Sequence, residues 1–227
     1  MAQFTLNINF TPEGLSSLSS AMMSVAMLQA APDSAYQIVA ILTQPQQSMR
    51  ITWQDSAFVY TSANSIQEYS ILHINNSWEV MGECLYAIDR SQISLIKEGL
   101  TRSVQITNQD ASNNSAVTAG LATAFSVNNG KPSLSILTAE SLLYNGTGTF
   151  QMSNSFYLTV LSSSAKAGMV IPPHVIPDCC TSNHMKIHPG EIGSLAAQPA
   201  LLLGFSAASP VQNACFNDQH KRFFLCT

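Results

Sequence analysis

FTLNINFTPEGLSSLSSAMMSV (residues 4–25) lies over FQMSNSFYLTVLSSSAKAGMVI (150–171) without a gap when the chain is slid by 146 residues. Phe4, Phe10, Leu15, Ser16, Ser17, Ala21 and Met23 match Phe150, Phe156, Leu161, Ser162, Ser163, Ala167 and Met169, seven identities in 22 positions. A second block follows in the same order. PQQSMRITWQDSAFVYTS (45–62) lies over PVQNACFNDQHKRFFLCT (210–227), with Pro45, Gln47, Gln54 and Phe58 matching Pro210, Gln212, Gln219 and Phe223. Self-similarity at a fixed offset is the mark of a repeated structural unit. It predicts an all-β, internally duplicated antiparallel β-sandwich, with residues 1–115 as the first half and 116–227 as the second, either as two halves sharing an interface or as one globule.

The second block also predicts pairing. In both copies a polar centre, QDSA or QHKR, separates apolar-rich arms, the pattern of a hairpin. Folding about Asp55 and Ser56 sets Trp53 opposite Phe58 and Ile51 opposite Tyr60, an aromatic-rich patch on one face. Folding about His220 and Lys221 sets Phe216 opposite Leu225 and Cys215 opposite Cys226, close enough for a disulfide in an oxidising environment.

Elsewhere strand signals dominate. Asn129-Gly130 and Asn145-Gly146 predict hairpin turns. ILHINNSWEVMGECLYAI (71–88) reads as two strands about an Asn-Asn-Ser turn, bringing His73 near Glu83. TPEGLSSLSSAMM carries a Thr cap, Pro at the first helical position and apolar residues at 15, 18 and 22, so a short helical segment is expected near 12–20 with strand on either side.

The copies differ in length. Phe4 to Pro45 spans 41 residues and Phe150 to Pro210 spans 60, so the second half carries 19 extra residues, almost all in 172–199. That long inserted loop is broken by Pro172, Pro173, Pro177 and Pro189, and it reads IPPHVIPDCCTSNHMKIHPGE over 171–191. Long loops on rigid scaffolds are common places for function. Cys180, His184 and His188 follow a Cys-x3-His-x3-His spacing that could hold zinc, although no paired CxxC or helical HExxH frame supports a metal. Alternatively His174, His184 or His188 acts as general acid or base, oriented by Asp178 or Glu191. In the plainest reading the loop only packs over the sheets, its histidines solvated, with Cys179 or Cys180 reduced or bonded to Cys84.

Composition bounds the function. Only 10% of residues are charged, against an average near 25%, so Ser, Thr, Asn and Gln must supply most of the polar surface. A net charge of −4 with nine Lys and Arg offers no basic patch for nucleic acid. No apolar run is long enough for a membrane helix. MAQFTLNINF has no basic segment followed by an apolar one, so a cytoplasmic protein, or a secreted one whose leader has been removed, is expected. No cofactor motif is present.

The first functional expectation is a largely apolar small molecule bound between the two β halves, with Trp53, Phe58, Tyr60 and His73 as ligand contacts. Any chemistry there would be cofactor-independent: dehydration, isomerisation or cyclisation by a lyase, isomerase or cyclase. A lectin-like module binding glycans is the second expectation. A self-assembling or pore-forming β protein is the third, prompted by the Ser/Thr and small-apolar alternation in 116–127. A homo-oligomer is compatible with each.

Overall fold

A computed structural model describes residues 2–30, 36–82, 84–90, 92–98, 103–111, 116–172, 175 and 200–226. Strands dominate. In chain order they are β1 (Gln3–Asn9), β2 (Met23–Gln29), β3 (Gln37–Thr43), β4 (Ser48–Gln54), β5 (Phe58–Ser62), β6 (Asn76–Glu79), β7 (Cys84–Asp89), β8 (Gln92–Glu98), β9 (Val104–Asn108), β10 (Val117–Val127), β11 (Ser133–Ile136), β12 (Glu140–Leu142), β13 (Thr147–Phe150), β14 (Ser155–Ser162), β15 (Val170–Ile171), β16 (Leu201–Gly204), β17 (Val211–Asn217) and β18 (Arg222–Leu225). Helix α1 (Pro12–Ser20) lies between β1 and β2. Thr11 caps it, its side chain accepting from the Gly14 N–H at 3.1 Å, and Pro12 occupies the first turn where a missing N–H costs nothing. Leu18 is buried and Leu15 partly so. Met22 is not, because the chain turns through φ +51 there and leaves it 69% exposed.

The strands form three sheets. The large sheet runs β18-β17-β1-β4-β10-β5-β6, with β11 and β12 also pairing with β10; the second runs β15-β3-β2-β14-β16; the small one runs β13-β9-β7-β8. Each sheet takes strands from both sides of residue 115, and two pairings, β1 with β17 and β7 with β9, are parallel. The sheet structure is all-β, as expected. Duplication gains no support from it: the alignment of 4–25 with 150–171 sets α1 over the end of β14 and the turn beyond. Shared spacing of Ser and apolar residues serves a capped helix in one place and a buried strand in the other.

The largest departure concerns residues 48–62. Trp53 pairs with Phe125 rather than Phe58, and Phe58 pairs with Ala122. Both β4 and β5 run antiparallel to β10, so they act as one bent strand. Four residues, 54–57, oppose two, 123 and 124, which makes a wide bulge in place of the expected hairpin turn. Several polar backbone groups of the bulge find partners. Thr123 Oγ1 donates to the Ser56 carbonyl at 2.6 Å, Asp55 N–H donates to the Ala2 carbonyl at 2.9 Å, and the Ala57 carbonyl accepts from Val80 N–H at 2.8 Å.

Of the other expected hairpins some form locally, with turn or register shifted, and the rest are re-paired with other strands. The hairpin signalled by Asn129-Gly130 does link β10 to β11, but its turn is centred one residue earlier, on Asn128 and Asn129 with φ +51 and +60, and Gly130 N–H donates to the Val127 carbonyl at 2.9 Å. The Asn145-Gly146 turn forms too, Gly146 N–H donating to the Leu143 carbonyl at 2.8 Å, yet it connects β12 in the large sheet to β13 in the small one. In 71–88 the strands β6 and β7 belong to different sheets. In the C-terminal hairpin Phe216 faces Phe223 instead of Leu225, and Cys215 faces Phe224.

Four hydrophobic clusters fill the structure. The largest lies between the β1–β4 part of the large sheet and β2 and β14, and its centre is aromatic. Trp53 meets Phe4, Phe125, Phe156 and Phe205 at centroid distances of 5.6, 5.5, 5.3 and 4.7 Å. A satellite triple of Phe10, Phe216 and Phe223 seats α1 and the C-terminal hairpin. Strand β10 serves three clusters at once. Phe125 enters the first, Ala119 and Leu121 join Val59, Tyr86 and Ile106, and Ala122 joins Tyr60, Ile38 and Val170 on the reverse face.

This double coverage explains the small residues of VTAGLATAFSV. At Gly120 an added Cβ would stand 2.0 Å from the Thr138 carbonyl oxygen, so another backbone occupies the space a side chain would need. Gly120→Ala should therefore cost about 3 kcal/mol or more, read as a lowered urea midpoint. An unchanged midpoint would mean that 138–139 does not approach β10 so closely.

Candidate functional site

The bulge at 54–57 creates a concavity where the large sheet meets the small one. Asp55, Ser56 and Ala57 form one wall, Val80 and Gly82 another, and Ser103, Val104, Phe150, Gln151 and Met152 close the rest, enclosing an open groove of about 560 Å³. Each wall has a local cause. The bulge pushes Asp55 and Ser56 out of the ladder. Gly82 holds φ +104, a conformation costly for any residue with a Cβ. Phe150 ends β13 with its ring 5% exposed, anchored in the small-sheet cluster. Among the described residues Asp55 is the one ionisable side chain of this lining, which otherwise mixes apolar surface with hydroxyl, amide and backbone groups.

The expected ligand contacts are dispersed. Trp53 is buried in the first cluster, whereas Tyr60, fully buried, belongs to the cluster on the reverse of β10, with Phe58 half-buried beside it. They are separated because the chain runs on along β10 instead of turning back, so Trp53 opposite Phe125 and Phe58 opposite Ala122 point to opposite faces of the sheet. His73 is exposed, its backbone N–H donating to Ser62 Oγ at 3.3 Å, and Glu83 lies outside the described residues. Also outside them are His174, Asp178, Cys179, Cys180, His184, His188 and Glu191, the residues on which the acid–base and metal readings of the loop rest. The segment's flanks are described: Ile171 ends β15 at one edge of the second sheet, and Leu201 begins β16 at the opposite edge. Among the described residues no group of three or more His, Cys, Asp or Glu is placed to hold a metal, and no helix is long and apolar enough to cross a membrane.

Cys215 and Cys226 form a disulfide with Cα atoms 5.8 Å apart. They are diagonal rather than directly opposed, since Cys226 N–H donates to the Asn213 carbonyl at 3.0 Å. Cys84 is buried with a free thiol, its Sγ 3.8 Å from the Met81 carbonyl. Next to it, burial chiefly, together with Cys84 and Glu98, raises the Tyr86 phenol above its ordinary range, although Met81 N–H donates to that oxygen at 3.3 Å and opposes the shift.

Sequence patterning missed the groove because its walls come from segments up to about a hundred residues apart. The Gly82 turn and the polar QDSA centre were visible, but their meeting depends on sheet topology. Comparison of the chain with family models, curated proteins and solved structures returned no match.

Tyr60 supplies a test of the central packing. Its hydroxyl donates to the Thr138 carbonyl at 2.9 Å, and burial pushes the phenol far above its ordinary value. The folded chain keeps a proton that the unfolded chain releases near pH 10, so this contribution is whole below about pH 10 and fades as pH rises further. Tyr60→Phe should cost about 1 kcal/mol at neutral pH and should lose less Tm than the parent between about pH 9 and about pH 11. Parallel pH curves for the two proteins would contradict the burial of this hydroxyl.

Proposed function

We propose that the protein is a binding module for a small, uncharged, largely apolar molecule, taken up in the groove between the large and small sheets. One observation carries the reading: an open concavity of about 560 Å³ whose walls combine Ala57, Val80, Val104, Phe150 and Met152 with a few polar groups. Pockets for small molecules have this mixture, apolar area for affinity and sparse polar groups for orientation. Among the described residues the lining offers one carboxylate, Asp55, amid apolar surface, and that mixture supports binding. Asp55 and Ser56 would face a hydroxyl or amide donor at one end of the ligand, while Phe150 and Met152 would cover its apolar body.

Nile red, an uncharged apolar dye, provides a direct test. Its fluorescence should rise saturably at one site per chain, accompanied by a change in emission from Trp78, which is half exposed two residues before Val80. Gln151→Trp places a large ring in the groove from an exposed position and should weaken dye binding about tenfold, with the circular dichroism spectrum unchanged. Asp55→Asn should leave dye affinity as it was. If the dye binds the Gln151→Trp protein as well as the parent, the groove is not the site.

A further inference from the structure

A second surface of the large sheet has a chemistry of its own. Strand alternation buries Phe4, Leu6, Ile8, Met49, Ile51 and Trp53, and turns the intervening residues of β1, β4 and β17 outward. The register sets Asn213, Asn7 and Arg50 side by side across three strands, and Asn128 continues the row, its Oδ1 accepting from the Arg50 N–H at 2.8 Å. Thr52 lies one row to one side and Ser48 one row to the other. Two of the amides are held in place. Asn7 Nδ2 donates to Asn213 Oδ1 at 2.9 Å, and Asn128 Nδ2 donates to Gln46 Oε1 at 2.8 Å. Arg50 is exposed, forms no ion pair among the described residues, and shares this face with no Asp or Glu on β1, β4 or β17.

We propose that this face binds a carboxylate-bearing glycan, with the Arg50 guanidinium taking the carboxylate and the surrounding amides and hydroxyls taking sugar hydroxyls. The choice of occupant follows from charge and polarity. A guanidinium fork matches a carboxylate in two parallel hydrogen bonds and, left unpaired, supplies the single charge that a sparsely charged ligand requires. Nucleic acid would need several cations along its path; β1, β4 and β17 carry Arg50 alone, and the next cation on the face, Arg222 of β18, stands opposite Asn217, four residues along β17 from Asn213. A protein partner would need aromatic or aliphatic anchors at the centre of the contact; the row around Arg50 presents Asn, Thr and Ser, and the exposed apolar side chains of this face, Val211 and Phe224, lie on the outer strands β17 and β18. Pre-fixed amides lose little side-chain entropy when they bind hydroxyls.

Affinity electrophoresis through gels containing polygalacturonate or dextran tests the proposal. The chain carries a net charge of −4, so retardation by a polyanion cannot come from bulk attraction. The parent protein should be retarded by polygalacturonate, less so as salt rises, and not by dextran. Arg50→Ala should raise the apparent Kd about tenfold or more, Arg50→Lys should be intermediate, and Asn213→Ala should weaken binding with no loss of the melting transition. Each of three results would overturn the proposal: no retardation of the parent, equal retardation by dextran, or undiminished retardation of a folded Arg50→Ala protein. None of them touches the dye-binding groove, whose walls share no residue with this face.

Discussion

Four residues of one strand set against two of another form the constraint on which the rest of this structure depends. Residues 48–62 must follow β10 along its length, and the excess at 54–57 is absorbed as a bend closed by the Thr123 hydroxyl on the Ser56 carbonyl. On one side of the bend the strand faces the aromatic cluster around Trp53; on the other it faces Val59 and the small sheet with one surface and Tyr60 and β3 with the other. A hairpin at 55–56 would bring Trp53 and Phe58 together; the bulge instead carries the chain on along β10, so that Trp53 enters the first cluster while Val59 and Tyr60 enter the other two. The groove is a by-product of the same geometry, because a bulged backbone cannot pack flush against the neighbouring sheet.

How far the sequence discloses this can be judged from particular residues. Helix α1 was legible because Thr11, Pro12 and the Leu15/Leu18 spacing act locally. The β10–β11 hairpin was legible from Asn129-Gly130 for the same reason, although its turn is centred one residue earlier. Strand content was legible from alternation. Pairing was not: QDSA between two apolar arms suits a tight turn and a wide bulge equally well, and the choice is made by β10, more than sixty residues away. The small-residue run of β10 suggested a pore or a self-assembling strand when read alone. In the structure Ala119, Gly120 and Ala122 are small because both faces are covered.

The proximity of Cys215 and Cys226 was legible as a consequence of hairpin folding, while its register was not, since the pairing is set by Phe216 meeting Phe223 in the core. The candidate sites divide similarly. A low charge content pointed toward uncharged or sugar-like ligands, and the outward row of Asn7, Arg50 and Asn213 gathers amides around one exposed cation. The row itself could not be read from the chain, because it joins residue 7 to residue 213 through a parallel pairing.

The most direct test of the bent strand is a pair of engineered disulfides. Thr52 lies opposite Ser126 across β4 and β10, where Cα atoms of antiparallel partners stand about 4.5–5.5 Å apart, within bonding range. A hairpin turning at 55–56 would instead set Thr52 opposite Val59. The account predicts that Thr52→Cys with Ser126→Cys oxidises to a 52–126 bond, identified by mass spectrometry of unreduced peptides, and that Thr52→Cys with Val59→Cys gives no 52–59 bond. A 52–59 bond in the second protein, with free thiols at 52 and 126 in the first, would contradict it.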